Sequence, residues 1–444
     1  MKEYIHEQAK EIEVFDHCDV LVVGAGPAGT AAAVIRFCRC REKETAWLLL
    51  LAGMATGGQV LFIPHLSEGK QQMIAGIQQE WLDRLEKMPN GLIGPDRKDI
   101  GSTDPALIDK WRKYYGFVCD GWIWYGAYVD PEMLKIAMVN MVEDAGVTVY
   151  CHAWGSEALM EGNRVIGVTF QSKEGRKAIL AGKVIDCTGD GDIFASAGCA
   201  YEKEYSGDDR SYNVSVVFRL GNVDSEEFRN WKYDPNSHYR DKLAEYKKLF
   251  GYRISPFVTP MKDIMWVNNF VEGKDCCNVQ DLTDTEMLIR RSLNEGIEWI
   301  RENVPGFKNA FLHDTAPQLG TRGSRRLNGT YRLTMDDIAQ TIEHEDTIAI
   351  IPAHRRMKYK SPIELPYGVM LPADDVEDLL AAGRCFSSAH DANDHANLIP
   401  HCVALGEAAG AAAALALQSN TTFRNVDVKK VQQMLKKQGV YLPR

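Results

Sequence analysis

The chain has 444 residues, of which 45% are apolar and 25% charged. Those proportions belong to a globular protein and exclude disorder, collagen and coiled coil as overall descriptions, and the length suggests two or three domains or one large domain with insertions. Lys and Arg number 51 against 61 Asp and Glu, a net charge of −10, which argues against general binding to nucleic acid or to an anionic membrane.

Eleven scattered cysteines contain no Cys-x-x-Cys, so neither a zinc ribbon nor a dithiol motif is written here. The charged start, Met1 to Glu7, has no apolar signal core, and reduced thiols in the cytoplasm are expected. The most apolar stretch, Val403 to Leu417, is too short to span a bilayer and contains Glu407, so no membrane association is expected.

Asp19 to Val23 is a short apolar run followed at once by Gly24-Ala25-Gly26-Pro27-Ala28-Gly29, then by the alanine-rich Thr30 to Ile35. Strand, glycine turn and helix in that order mark a dinucleotide-binding unit. Gly24 would allow the tight turn, Gly26 the approach of a pyrophosphate, and Gly29 close packing of helix on strand, with the N–H groups of the helix start facing the anion. The plainer reading is an ordinary tight turn.

Residues 66–118 read as a mostly helical insertion, with a helix over Gln71 to Lys87. Asp130-Pro131-Glu132 opens a helix running to about Ala145. Val147 to Tyr150 follows as a strand, and 156–160 with 165–170 reads as a hairpin around Glu161-Gly162-Asn163-Arg164. Val184 to Cys187 is a buried strand ending in Thr188-Gly189-Asp190-Gly191-Asp192. Trp122, Trp124, Tyr125 and Tyr128 are expected in the core, with a cofactor or sugar wall as the alternative. Strands at Ser215 to Leu220 and Ile348 to Ile351 alternate with charged helices such as Asp284 to Arg301, which suits a substrate domain. Leu379 to Arg384 is a strand entering a turn, and Pro400 opens a small-residue helix through Leu417.

Several segments, in this order, carry a resemblance. They are Asp19 to Ala33, Gly53 to Gly58, Asp130 to Glu132, Ile185 to Asp192, Gly320 to Arg326, Leu365 to Gly368, Ala382 to Cys385 and Pro400 to Gly410. The chain resembles the bacterial FAD-dependent oxidoreductase family, among the glutathione-reductase-like two-domain flavoproteins. The resemblance implies an α/β fold: a Rossmann-like FAD-binding domain, discontinuous in sequence, with an inserted mixed α+β substrate domain. The expected spans are 1–65, 121–205 and 371–444 for the FAD-binding domain, 66–120 for a helical insertion, and 206–370 for the substrate domain.

The cofactor implied is FAD. Gly24, Gly26, Pro27, Ala28 and Gly29 would hold the pyrophosphate, while Gly58, Thr188, Gly189 and Asp190 would pass close to the cofactor. Gly383 and Arg384 would lie near the ribityl chain. The helix starting near Pro400, with His401, Cys402 and Val403, would point its N-terminus at the flavin pyrimidine ring, where reduced flavin is negative. For 188–192 the plainer reading is a turn, for the late helix a buried packing helix, and for His401 and Cys402 a supporting role.

Arg322, Arg325, Arg326 and Arg332 concentrate positive charge. They read either as a clamp on an anionic substrate or as structural ion pairs. Arg322, Arg325 and His401 are the catalytic candidates. His390 to His395 has ligand-type residues without metal-site spacing, and no metal is expected. The basic run His354 to Lys360 reads as a solvated strand edge.

One segment departs from the pattern. The second strand, Ala46 to Leu51, has no acidic residue at its end, where a dinucleotide fold holds the ribose hydroxyls. Arg36 to Lys43 places three arginines on a helix that should pack on a sheet and lacks the closing glycine. A compensated frameshift within codons 34–53 and a natural variant that holds the adenosine ribose differently both fit. A lost charged hydrogen bond would weaken FAD by roughly tenfold to a hundredfold.

The expected activity is hydride transfer between a small polar, potentially anionic, substrate and flavin N5. The alternatives are a flavin-binding or inactive scaffold subunit, or an RNA-modifying flavoprotein, which the net charge disfavours. Sequence leaves the substrate, the electron partner and the oligomeric state open.

Overall fold

The structure, a computed structural model, describes residue 5 and residues 11–35, 45–49, 53–206, 209–340, 342–352 and 362–442. The atypical Arg36 to Lys43 segment, Glu42 and Glu44, the end of the second strand, and the basic run 354–360 lie outside the described residues.

Glu13–Val23 is the organising strand. Its last four residues are buried, as befits a parallel strand covered on both faces. It pairs in parallel with Thr45–Leu49 on one side and Gly175–Asp186 on the other. The sheet runs Thr148–Cys151, Thr45–Leu49, Glu13–Val23, Gly175–Asp186, Arg164–Ser172, Trp154–Glu161, with Leu379–Ala381 parallel to Gly175–Asp186. The predicted 156–160/165–170 hairpin is present as its antiparallel part. The fold is therefore an α/β fold around a parallel sheet with Rossmann-type strand order.

The helix predicted from Pro400 spans Ile399–Gln418 and is buried almost throughout. It is the one helix among the described residues long and apolar enough to cross a membrane, and it lies in the protein core. It packs on Pro27–Val34 with almost no space between backbones. A Cβ at Gly406 would lie 2.0 Å from the Ala28 carbonyl oxygen, and one at Gly410 would lie 2.4 Å from that of Ala32. Small residues therefore set this contact, and propensity alone does not explain the composition of the helix.

A second sheet orders Phe311–Thr315, Phe218–Gly221, Met265–Glu272, Asn213–Ser215 and Gly320–Thr321, with Arg253–Val258 also on Met265–Glu272. The helices Ser225–Lys232, Tyr239–Phe250 and Val279–Asn303 accompany it. The strand predicted over Ser215 to Leu220 is thus two strands in one sheet.

Residues 66–118 are not mostly helical: Gly76–Leu85 and Pro105–Trp111 are the α-helices, among two-residue strands and loops. The polar composition that suggested helix serves turns instead. Trp124, Tyr125 and Tyr128 are buried as expected, whereas Trp122 is only partly covered. Two cores cut across the spans drawn from sequence. Ile74, Ile77 and Trp81 of the insertion join the core around the first sheet, as do Leu333, Ile338, Ile348 and Leu365. Trp111, Phe117 and Ile123 join the core of the second sheet.

Glu407 ties the insertion to the late helix. It is buried, and its Oε2 accepts the Ile77 N–H at 3.1 Å at the start of Gly76–Leu85. Burial pushes its carboxyl up to about 8, against the Ile77 hydrogen bond. Such a group stabilises the fold below its ordinary value of 4.5 and loses that contribution as pH rises through 8. The advantage of Glu407→Gln over wild type in urea unfolding is expected to grow by about 1.4 kcal/mol per pH unit from about pH 5 to about pH 8, then level off. Parallel stability curves would show that Glu407 is not held neutral.

Candidate flavin-binding site

The site begins where the organising strand ends. Cys187 N–H donates to the Val23 carbonyl at 2.8 Å, which draws the two parallel strand ends together. Gly24 follows with φ +105°, and a Cβ there would lie 2.4 Å from the Cys187 carbonyl oxygen. Gly24 is therefore obligatory for both conformation and space. A Cβ on Gly29 would lie 1.7 Å from the Gly24 carbonyl oxygen, so Gly29 serves packing of the helix on the loop. Gly26 differs. Its φ of −71° suits any residue, and its Cβ would meet only the Gly53 Cα at 3.5 Å. The open side of Gly26 faces a cleft.

That cleft is lined by Gly24, Gly26, Pro27 and Ala28, by Thr188, Gly189 and Asp190, by Gly383 and Arg384, and by Cys402. Four segments far apart in sequence, all nominated above, meet there. The remaining nominated cofactor residues lie outside the lining. Gly29 packs as described. Gly58 closes a turn through its N–H to the Gly53 carbonyl at 3.2 Å. Val403 is fully buried in the core.

The turn after Gly175–Asp186 is built on Asp186, a residue whose role sequence reasoning missed. Its buried carboxylate accepts from Thr188 N–H at 3.0 Å and Thr188 Oγ1 at 2.7 Å. It also accepts from Ile193 N–H at 3.0 Å and Phe194 N–H at 2.9 Å. Burial pushes its carboxyl up to about 6, and these hydrogen bonds oppose the shift. Asp190 then gathers three partners: Ser324 Oγ donates at 2.5 Å and Arg384 Nη2 lies 2.9 Å away, both at Oδ1, while Arg325 Nη1 donates to its carbonyl at 2.9 Å.

None of Arg322, Arg325, Arg326 and Arg332 lines the cleft. Arg325 pairs with Asp192 at 2.8 Å. Arg326 is buried, donating to the carbonyls of Ser388 at 3.1 Å and Glu204 at 2.9 Å. Arg332 pairs with Glu202 at 2.7 Å. Arg322 lies with its guanidinium 4.6 Å from the Phe270 ring, and burial pulls it down to about 9, with Arg210 adding to the shift. Local carbonyls and carboxylates hold Arg325, Arg326 and Arg332, which suits the ion-pair reading, while Arg322 packs on Phe270 and its Nε is buried without a hydrogen-bond partner among the described residues. His401 is also off the cleft lining. It is buried, and its Nδ1 accepts the Leu398 N–H at 3.4 Å, a cap on the late helix. His390 contacts Asp209 at 2.7 Å, and Asp394 accepts the N–H groups of Arg210 at 2.5 Å and Ser211 at 2.6 Å. That segment clasps the 209–211 loop.

The lining leaves polar groups that a cofactor or substrate can satisfy. Arg384 Nη1 and Gln318 Oε1 are buried without a hydrogen-bond partner among the described residues. Burial opposes the charge on Arg384, but Asp190, Cys276 and Tyr205 together more than offset this and raise its pKa, so the guanidinium stays charged. Backbone N–H groups at a helix start, a buried cation and a glycine-lined wall fit a pyrophosphate-bearing dinucleotide.

The model of the FAD dependent oxidoreductase family matches residues 19–435. The chain belongs to this family. It is an enzyme whose cofactor is FAD. Solved structures resemble the chain at low identity. A geranylgeranyl bacteriochlorophyll reductase-like protein from Thermoplasma acidophilum is 15% identical, with 96% of this chain and 82% of that chain covered and a TM-score of 0.45. A myxobacterial FAD-dependent chondrochloren halogenase is 13% identical, with 95% and 79% covered and a TM-score of 0.47. L-proline dehydrogenase from P. horikoshii is 11% identical, with 96% and 99% covered and a TM-score of 0.43. No curated protein matches the chain.

Gly26→Val is expected to fold, with an unfolding temperature close to wild type, and to purify without flavin, since its side chain enters the cleft without backbone strain. Full flavin content would remove Gly26 from the pyrophosphate. Asp186→Asn is expected to cost about 2–3 kcal/mol in urea unfolding, because an amide cannot accept all four hydrogen bonds. Unchanged stability would show that the turn holds itself.

Proposed function

We propose that this enzyme transfers a hydride between a small polar substrate and FAD lying extended along the cleft. The observation that carries the reading is the meeting, in one cleft, of the Gly24–Ala28 loop, the 188–190 turn, Gly383-Arg384 and Cys402. When bound, FAD supplies the two-electron redox chemistry, and the protein supplies position and electrostatics. The backbone at Gly26 to Ala28 would hold the pyrophosphate, and Arg384 would hold a negative or carbonyl group through its unused Nη1. A glutathione-reductase-like division into two bodies is part of the proposal, supported by the strand order of the first sheet and by the separate second core.

The substrate end is assigned to Gln318, Thr321 and Asn397, which also line the cleft. Gln318 is anchored by its N–H to the Gly57 carbonyl at 3.1 Å and keeps a buried Oε1 to offer. Asn397 Nδ2 is shared among Ser211 Oγ, the Arg322 carbonyl and Asn393 Oδ1. Amide and hydroxyl groups favour a neutral polar substrate, and Arg322, Arg325, Arg326 and Arg332 lie outside the lining. A cytoplasmic site is consistent with the nine described cysteines, all free thiols.

The test is an anaerobic screen of small alcohols, amines and hydroxy acids, with NAD(P)H as a candidate donor, followed by flavin absorbance. Bleaching by one substrate class, with kcat/KM lowered about tenfold or more by Gln318→Ala at unchanged flavin content, is the expected outcome. Flavin that dithionite reduces but no donor bleaches would support a scaffold role instead.

A further inference from the structure

We propose that Trp154 is the platform on which the adenine of FAD stacks; this rests on the reading that the cleft holds FAD. Trp154 is 62% exposed, more than any other aromatic side chain among the described residues. It is also the sole aromatic ring among the residues that line the cleft. A large apolar ring left in water at the rim of a site calls for an occupant, because covering it removes apolar area from water.

The backbone places the residue that carries the ring. Trp154 opens the strand Trp154–Glu161, immediately after Thr148–Cys151 and the short link through His152 and Ala153. The next residue, Gly155, passes so close to the organising strand that a Cβ would lie 2.5 Å from Val23 Cγ1. Trp154 is thus anchored over the end of the strand that delivers Gly24. Val23, Gly24, Ala153 and Gly155, small and uncharged, line the same cleft, as does Asp192. At 62% exposure the ring leaves indole surface open to a flat partner. Base-on-aromatic stacking needs only that surface, since every base has a π face.

This placement also answers the departure in the second strand. No acidic residue follows Ala46 to Leu51 to hold the ribose hydroxyls. A stacked base would secure the same adenosine half of the cofactor. The link is to the adenosine portion, so it separates FAD from flavins that lack adenine.

The test is titration of flavin-free wild type, Trp154→Ala and Trp154→Phe with FAD, ADP and FMN, by calorimetry and by flavin fluorescence. Trp154→Ala is expected to bind FAD and ADP roughly tenfold to a hundredfold more weakly, with FMN affinity unchanged. Trp154→Phe is expected to recover most of the loss. Because the side chain is exposed, both variants should unfold at the wild-type temperature; if the Ala variant does not fold, the Phe variant and ADP binding to wild type carry the comparison. Equal FAD and ADP affinity in wild type and Trp154→Ala would overturn the assignment while leaving the FAD reading intact. Equal weakening of FMN and FAD would overturn it by placing the ring at the flavin. Wild type that binds neither FAD nor ADP would overturn the FAD reading itself.

Discussion

The structure depends on a contact that leaves no room for side chains. Ala28 sits between two glycines from the far end of the chain. A Cβ on Gly383 would lie 2.8 Å from the Ala28 Cβ, and one on Gly406 would lie 2.0 Å from its carbonyl oxygen. With Gly24 against Cys187 and Gly29 against Gly24, this forces the first helix, the 383–384 turn and the late helix into one junction. Close packing of this kind tolerates little volume change. The cleft is what remains open beside that junction, so its position follows from where the glycines lie.

A second layer fixes the walls. Asp186 holds the 188–194 turn from inside, through four hydrogen bonds. Asp190, at the tip of that turn, then joins segments far apart in sequence through Ser324, Arg325 and Arg384. A carboxylate taken out of water is costly unless paired and hydrogen-bonded, and here the buried Asp186 and the partly buried Asp190 are each satisfied by the segments they hold. Charge in this region therefore serves mainly to shape the cleft, and Arg384 keeps one donor turned toward it.

Much of this was legible in the sequence. The glycine loop, the hairpin and the late helix each carry a local signal: glycine spacing, a turn between alternating runs, and a proline before a small-residue stretch. Gly26 was read for its space and Gly24 for its turn, and the structure has an ordinary φ of −71° at Gly26 and the positive φ at Gly24. Long-range pairing was not legible. Four clustered arginines look alike in sequence, and only folding separates Arg325, spent on Asp192, from Arg322 against Phe270. Asp186 was read as part of a motif without a role, because its donors come from residues up to eight positions later. The insertion misled because polar residues suit short turns as well as exposed helix. Trp154 fell between the predicted strand ending at Tyr150 and the hairpin starting at 156, where the sequence carries no signal for which ring faces a cleft.

The central claim is that the Gly24–Ala28 loop holds the pyrophosphate of FAD. The most direct measurement is a crystal structure of the protein with FAD bound. The account expects pyrophosphate oxygens within hydrogen-bond distance of the backbone N–H groups between Gly26 and Ala28, with the cofactor running past Gly189 and Arg384. A pyrophosphate located away from that loop would contradict it.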